Sequence, residues 1–443
     1  MADEKPAVAF IGLGAMGFGM ATHLLKQGYA VTGFDAYEPT LQRFQNAGGL
    51  TATTPSKTVA NKSFCVCMVA TAEQAQAVLL DGPDAAVNAM PQGTALLLCS
   101  TVPCQYVQSL GQQLVSIGRG DILLVDSPVS GGAARAADGT LSIMAGMSEA
   151  ALAKARPLLA EMADPEKLYI VQGGVGAGSN MKMVHQVLAA CQILAASEAM
   201  GFASRLGLAL GTAQRAVLES EAWNWMFEHR TPRMLNNFQP VASAVNIIVK
   251  DTSIITAEGR RNDFPTPMTA TAEQVYFTAI GRGYGQDDDS SLIRLYTSDV
   301  QLPPVGGLVE TEEQKLALVI DLLKGILFCA AREALSFANI VDLDLDQVLD
   351  LCNNAAGGST MLMKWGPDLI RTLYRDSEFK GWAVEANEHL LEDMAGRLQA
   401  AIETAQRLKV PLFLGHQALD ILRRTLRDRS SSRSVPIIMA KED

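Results

Sequence analysis

The sequence predicts an α/β protein in which an N-terminal doubly wound parallel sheet is followed by two all-α helical domains. Between residue 7 and about residue 170, short apolar runs alternate with amphipathic helical stretches. Continuous apolar strands separated by helices belong to a parallel sheet covered on both faces. Beyond about Val175 helical patterns dominate, and a chain of 443 residues is too long for one ordinary core.

The sheet is expected from residues 7–11, 31–34, 64–69, 95–99 and 122–125, each a short run of apolar or β-branched side chains. Residues 183–206 form an Ala-rich stretch with few helix breakers, the pattern of a long, largely buried helix. Leu302-Pro303-Pro304-Val305-Gly306-Gly307 is the best linker, because Pro and Gly both resist continuing a helix. The region after it looks like a worn copy of the region before it. Glu198-Ala199-Met200-Gly201-Phe202-Ala203 has a counterpart in Glu333-Ala334-Leu335-Ser336-Phe337-Ala338. Phe264-Pro265-Thr266-Pro267 has a weaker one in Val410-Pro411-Leu412-Phe413; chance likeness of Ala-rich helices is the alternative. The expected domains are therefore 1–173, 174–303 and 304–443.

Composition narrows the function. With 48% hydrophobic and 19% charged residues the chain is globular rather than disordered. A formal net charge of −11 argues against a general nucleic-acid surface and against docking on acidic membranes. An anionic substrate would need a local positive site. The seven cysteines, an odd number without framework spacing, read as reduced, buried thiols. Cys65 and Cys67 face the same way on a strand, but no second pair completes a metal site. The short acidic start runs directly into a strand, leaving no room for a signal peptide, and no uninterrupted apolar run reaches the roughly 18 residues of a membrane helix. A cytoplasmic location is expected.

Gly12-Leu13-Gly14-Ala15-Met16-Gly17 follows the first predicted strand and opens a helix. In such a loop the first glycine permits the tight turn and the second lets the backbone approach a pyrophosphate. The third lets helix and strand pack closely, while the helix N-terminus attracts the anion. Asp35 ends the second strand about 20 residues on, where a carboxylate accepts hydrogen bonds from an adenosine ribose. These features predict a Rossmann-type NAD-binding domain. Ala36 and Tyr37 come next, with no adjacent arginine for a 2′-phosphate, so NAD is favoured over NADP; Arg43 or Lys57 approaching from elsewhere is the alternative. Val69, Ala70 and Thr101, at or just past strand ends, join the cofactor-binding set.

Three further segments resemble the β-hydroxyacid dehydrogenase family, relatives of 6-phosphogluconate dehydrogenase. Asp126-Ser127-Pro128-Val129-Ser130-Gly131-Gly132, with Gly139-Thr140-Leu141 after it, resembles their substrate-binding signature. Gly174-Val175-Gly176-Ala177-Gly178-Ser179-Asn180-Met181-Lys182 is similar to their catalytic-lysine signature, and Val249-Lys250-Asp251 to a third element whose lysine lines the closed site. The resemblance covers roughly residues 7 to 295 in the family's order. It implies 6-phosphogluconate-dehydrogenase-like helical domains and makes Lys182 the general acid/base. Oxidising a hydroxyl by hydride transfer requires removing its proton as charge develops on oxygen. Lysine can do this when neutral, and burial beside a cationic nicotinamide favours the neutral amine. Ser130 and the amides of Gly131 and Gly132 offer donors to a substrate carboxylate, a plain β-turn being the alternative. Lys250 is assigned to cofactor binding.

His185 and Gln186 follow Lys182 by three and four residues and share its helical face. This His-Gln pair resembles the branch acting on sugar acids such as threonate, and both residues are assigned to substrate binding. Trp223-Asn224-Trp225-Met226-Phe227 also resembles that branch but reads as core. Gly285-Gln286-Asp287-Asp288-Asp289-Ser290 matches a family loop near the closed site, although Asp runs are ordinarily solvated caps. In the second copy Ala317 stands opposite Lys182, Ile320 opposite His185, Asp321 opposite Gln186 and Gly396 opposite Lys250, so it lacks both lysines. A structural purpose fits it better, and the chain is expected to be a homodimer or a monomer with an internal pseudo-dimer. The expected activity is NAD-linked interconversion of a small hydroxy acid, first L-threonate, and its oxo acid. A reductase of tartronate semialdehyde, succinic semialdehyde or a 3-hydroxyisobutyrate-type acid is the alternative, and a non-catalytic NAD-binding assembly protein a further one. No metal is expected.

Overall fold

The computed structural model describes residues 5–297, 311–374, 382–383 and 387–433. They form two compact units. One comprises the residues up to His185 with Val341–Leu351, the other Gln186–Ile340 with the residues from Cys352 onward. The expected linker at 302–307 lies outside the described residues.

The first unit is built on nine strands: β1 (Val8–Ile11), β2 (Val31–Phe34), β3 (Leu50–Thr51), β4 (Phe64–Cys67), β5 (Ala95–Leu98), β6 (Leu123–Asp126), β7 (Val129–Ser130), β8 (Leu141–Met147) and β9 (Ala163–Ile170). Their order is β3-β2-β1-β4-β5-β6-β8-β7, with β9 paired to β8. The pairs from β3 through β6 are parallel, whereas β8 runs antiparallel to β6 and to β7. Each central strand is buried on both faces, and alternate residues enter two cores. Val8, Phe10, Val66 and Leu97 belong to one, while Ala9, Ile11, Cys65, Cys67, Leu96 and Leu98 belong to the other. The five expected strands form within a residue or two of their predicted ends. The short β3 and β7, and the pair β8 and β9, escaped because single-sequence pattern is weak there. β9 carries the exposed Pro165 and Glu166, which break the apolar run.

The two halves of the parallel sheet diverge between β1 and β4, and ligands of doubly wound sheets bind beyond the carboxyl ends of strands at such a switch point. The glycine loop leaves β1 there. The lysine helix, Ala177–Arg205, begins after β9. By length and hydropathy it is apolar enough to span a bilayer, yet 94% of its most apolar window is buried in the protein.

The second unit is helical. The helix Glu312–Ile340 packs against Thr360–Tyr374, Glu388–Leu408 and Phe413–Arg433, and Val245–Arg261 packs against Pro267–Gly281. Two wholly buried glutamates tie this unit together. Glu198 of the lysine helix accepts the amides of Leu414 and Gly415 at 2.8 and 3.2 Å, at the start of Phe413–Arg433. Glu333 of Glu312–Ile340 accepts the amides of Met268 and Thr269 at 2.7 and 2.9 Å and the Thr269 hydroxyl at 2.6 Å, at the start of Pro267–Gly281. Each carboxylate satisfies amides that an isolated helix leaves bare, and the helix dipole favours its charge. These are the two glutamates, and the two Pro-containing segments, that the sequence paired as counterparts.

The Asp run departs from expectation. Asp288 and Asp289 are buried rather than solvated. Asp289 takes a two-point bond from Arg230 at 3.0 and 2.8 Å, and Asp288 pairs with Arg233 at 2.9 Å. Paired arginines offset the desolvation that an isolated carboxylate would suffer. All seven cysteines are buried thiols.

Candidate active site

The glycine loop meets its three requirements in three different ways. Gly12 has φ +92°, and a Cβ there would overlap the backbone oxygen of Met68. A Cβ on Gly17 would overlap the Gly12 oxygen, so this glycine allows the following helix (Ala15–Lys26) to lie against β1. Gly14 has open space before it, which is what backbone approach to a ligand needs. Asp35 Oδ2 accepts the Leu13 amide at 2.7 Å and Oδ1 the Tyr37 amide at 2.9 Å, so the carboxylate is held at the lip of the loop. Ala15 is exposed and Met16 half-buried on the same turn. Val69 and Ala70 follow β4: the Val69 amide bonds Ser100 Oγ at 2.9 Å and the Ala70 amide Gln74 Oε1 at 2.9 Å. Thr101 follows β5 and is half-buried. The Arg43 guanidinium lies over the Phe18 ring at 3.5 Å, and Lys57 Nζ bonds Thr53 Oγ1 at 3.3 Å. The open backbone at Gly14, the helix N-terminus and the placed carboxylate fit a dinucleotide.

Ser130 is buried at the end of β7, which is held in register by β8, Ser130 facing Ser142. Gly131 and Gly132 have φ +140° and +75°, a conformation L side chains rarely adopt, and nothing stands before Gly132. Arg135 packs its stem against Gly131 and brings a cationic side chain to this loop; the sequence reading had passed over it.

Lys182 is buried, 6% exposed, near the start of the lysine helix, and His185 is wholly buried one turn on. Sequence reasoning gave no role to Asp126, which the structure places at the base of that helix. Its Oδ2 accepts the Gly176 and Ser179 amides at 3.1 and 2.7 Å, and its Oδ1 the Ser179 hydroxyl at 2.7 Å. Burial pushes this carboxyl up to about 6 in spite of those bonds.

Of the expected site residues, the glycine loop, Asp35, Val69, Ala70, Thr101, Ser130, Gly131, Gly132, Lys182 and His185 fall in the first unit, and Gln186 and Lys250 in the second. Within the second unit, Asp251 joins the latter two. Gln186 Nε2 donates to Asp251 Oδ2 at 2.5 Å, and Lys250 Nζ lies 3.1 Å from Asp251 Oδ1. Asp251 stands in the quoted motif, but only the fold brings it to Gln186.

Comparison with known proteins agrees with this architecture. Residues 7–174 match the model of the NAD binding domain of 6-phosphogluconate dehydrogenase. Residues 176–296 and 313–435 match that of the NAD-binding domain of NADP-dependent 3-hydroxyisobutyrate dehydrogenase. The chain belongs to the β-hydroxyacid dehydrogenase family. An L-threonate dehydrogenase of Cupriavidus necator is 37% identical over 296 residues, which is 67% of this chain and 97% of that one. A solved 3-hydroxyisobutyrate dehydrogenase from Salmonella typhimurium is 32% identical with a TM-score of 0.61, covering 66% of this chain and all of that one. The 6-phosphogluconate dehydrogenase of Plasmodium falciparum shares the fold over 97% of this chain and 94% of its own, at 12% identity and TM-score 0.58. This dehydrogenase is thus a nicotinamide-dependent hydroxyacid oxidoreductase with a Rossmann sheet and an extended helical region.

Proposed function

We propose that this dehydrogenase oxidises a short sugar acid, L-threonate first, to its oxo acid with NAD, Lys182 taking the hydroxyl proton. The observation that carries the mechanism is a buried lysine on a helix start bonded to Asp126 of the substrate-signature segment, in the unit that holds the glycine loop. The choice of threonate rests on 37% identity to an L-threonate dehydrogenase and on the His185-Gln186 pair. A bound nicotinamide ring supplies or accepts the hydride. The chain's own residues do the rest. The amides of Gly131 and Gly132 and the Ser130 hydroxyl hold the substrate carboxylate, and Lys182 Nζ takes the proton in oxidation and returns it in reduction. His185 and Gln186 bind substrate hydroxyls. The loop at residues 12–17 with Val69, Ala70 and Thr101 holds the dinucleotide, and Asp35 its ribose. NAD is preferred because Asp35 occupies the place a 2′-phosphate would need, while Arg43 is engaged with Phe18.

We further propose the three-domain division 1–173, 174–303 and 304–443, with the last two as copies of one helical domain that has lost its lysines in the second. The exchange of Glu198 and Glu333 supports it, since each copy's glutamate caps a helix of the other. The protein is then a monomer with an internal pseudo-dimer or a dimer of such chains. Seven buried thiols fit a cytoplasmic setting.

The test is absorbance of reduced nicotinamide with L-threonate, D-threonate, erythronate, D-glycerate, 3-hydroxyisobutyrate and 4-hydroxybutyrate, each with NAD and with NADP. Turnover of a four-carbon sugar acid is expected, with Lys182→Ala lowering kcat on the order of 100- to 10,000-fold. Turnover confined to the unsubstituted acids would replace threonate by the 3-hydroxyisobutyrate type, which the solved neighbour at 32% identity favours as the second reading.

A further inference from the structure

We infer that Asp126 is a positioning residue for the reaction: its buried carboxylate sets the place of Lys182 by clamping the first turn of the lysine helix to the end of β6. The inference rests on the reading of Lys182 as the proton-transferring group.

Three observations carry it. The clamp has three points, two backbone amides and one hydroxyl, all donated to the two oxygens of a single wholly buried carboxylate. Ser179, which supplies two of the three donors, stands three residues before Lys182, so the two share a helical face and are one turn apart. The backbone around the clamp has no slack. A Cβ on Gly178 would overlap the carbonyl oxygen of Met144 and crowd that of Asp126, and a Cβ on Gly146 would overlap the carbonyl oxygen of Gly174. The helix start is therefore seated on β6 and β8, backbone against backbone.

The same strand end leads within four residues to Ser130, where β7 ends its pairing with β8. One short segment thus anchors the helix of the proton-transferring lysine and presents the donors for a substrate carboxylate. A surface cap would satisfy the same amides without burying a charge. Here the desolvation is accepted at 0% exposure, which is what holding a reacting group within a fraction of an ångström requires. Misplacing it by about 1 Å costs on the order of 100-fold in rate.

The experiment is a mutant cycle on the full chain with L-threonate, or whichever acid proves to be turned over, and NAD. Asp126→Asn keeps the shape and loses the charge, and Ser179→Ala removes one donor without touching the strand. Each is made in the native chain and in Lys182→Ala, and kcat, KM for NAD and the thermal midpoint are measured. The expected result is a fall in kcat of roughly 10- to 100-fold for Asp126→Asn and a smaller fall for Ser179→Ala, with KM for NAD unchanged. In the Lys182→Ala background both substitutions are expected to lower the residual rate no further, because a residue acting through Lys182 has nothing left to place. Equal losses with and without Lys182, or a native kcat in both single variants that remain folded, overturn the inference. Full turnover by Lys182→Ala overturns the reading of Lys182 instead, a separate outcome.

Discussion

An alanine methyl at Gly17 would overlap the Gly12 carbonyl oxygen, whereas the same methyl at Gly14 meets nothing and suits its φ of −65°. The two substitutions are therefore expected to separate folding from cofactor binding. Gly17→Ala should lower stability by about 1–3 kcal/mol, as overpacking does. Gly14→Ala should leave the melting curve close to native and weaken NAD binding, because its methyl stands where a pyrophosphate has to approach the backbone. Calorimetric melting and an NAD titration on both variants check this; equal loss of stability at the two positions would contradict it. The residue scale is also where pattern reading was strongest. A glycine with φ +92°, a strand-end carboxylate and a buried lysine at a helix start have sequence signatures, because each is demanded by local backbone geometry. Arg135 lacked one, and Asp126 and Asp251 stand in the quoted motifs without any sign there of what they would hold. Their partners lie far away in sequence or on loops whose course only the fold defines.

At the scale of elements, the two buried glutamates make stability depend on pH. Burial pushes Glu198 up to about 8 and Glu333 up to about 7, although the helix amides they accept pull both down. Each binds a proton more tightly folded than unfolded. Their contribution is fully present below the ordinary glutamate range and is lost as pH rises through about 7 and about 8. The thermal midpoint should therefore fall as pH rises from mildly acidic to about 8 and level off above it. Glu198→Gln with Glu333→Gln should flatten that slope, and an unchanged slope in the double variant would remove these residues as its cause. Elements with strong periodicity, the parallel strands and the long Ala-rich helix, were legible from the chain. The antiparallel β8 and the edge strand β9 were not, since pairing at an edge depends on its neighbour more than on its own pattern.

Across the whole molecule, a relative matched over 97% of its own length covers only 67% of this chain, and the proposed boundary before the last domain falls after residue 303. Ending this chain there would remove Glu333 from the start of Pro267–Gly281 and leave Glu198 buried without the amides of Leu414 and Gly415. A chain truncated after residue 303 is expected to aggregate or to recruit a second copy, whereas the full chain supplies that packing itself. Light scattering on both forms measures this. A truncated chain that stays monomeric with a native melting point would show the region after residue 303 to be dispensable for packing.

Local chemistry and periodicity in the sequence sufficed for the Rossmann sheet, the tight glycine turn that leaves β1 and the long buried helix, because each repeats at short range what backbone geometry requires. Tertiary structure alone decided which distant groups meet. It seated the lysine helix on Asp126, buried Asp288 and Asp289 against arginines 55 and 59 residues away, and gave each paired glutamate the other segment's helix to cap. A buried charge is tolerated only where several donors converge, and that convergence belongs to the folded chain and not to any stretch of it.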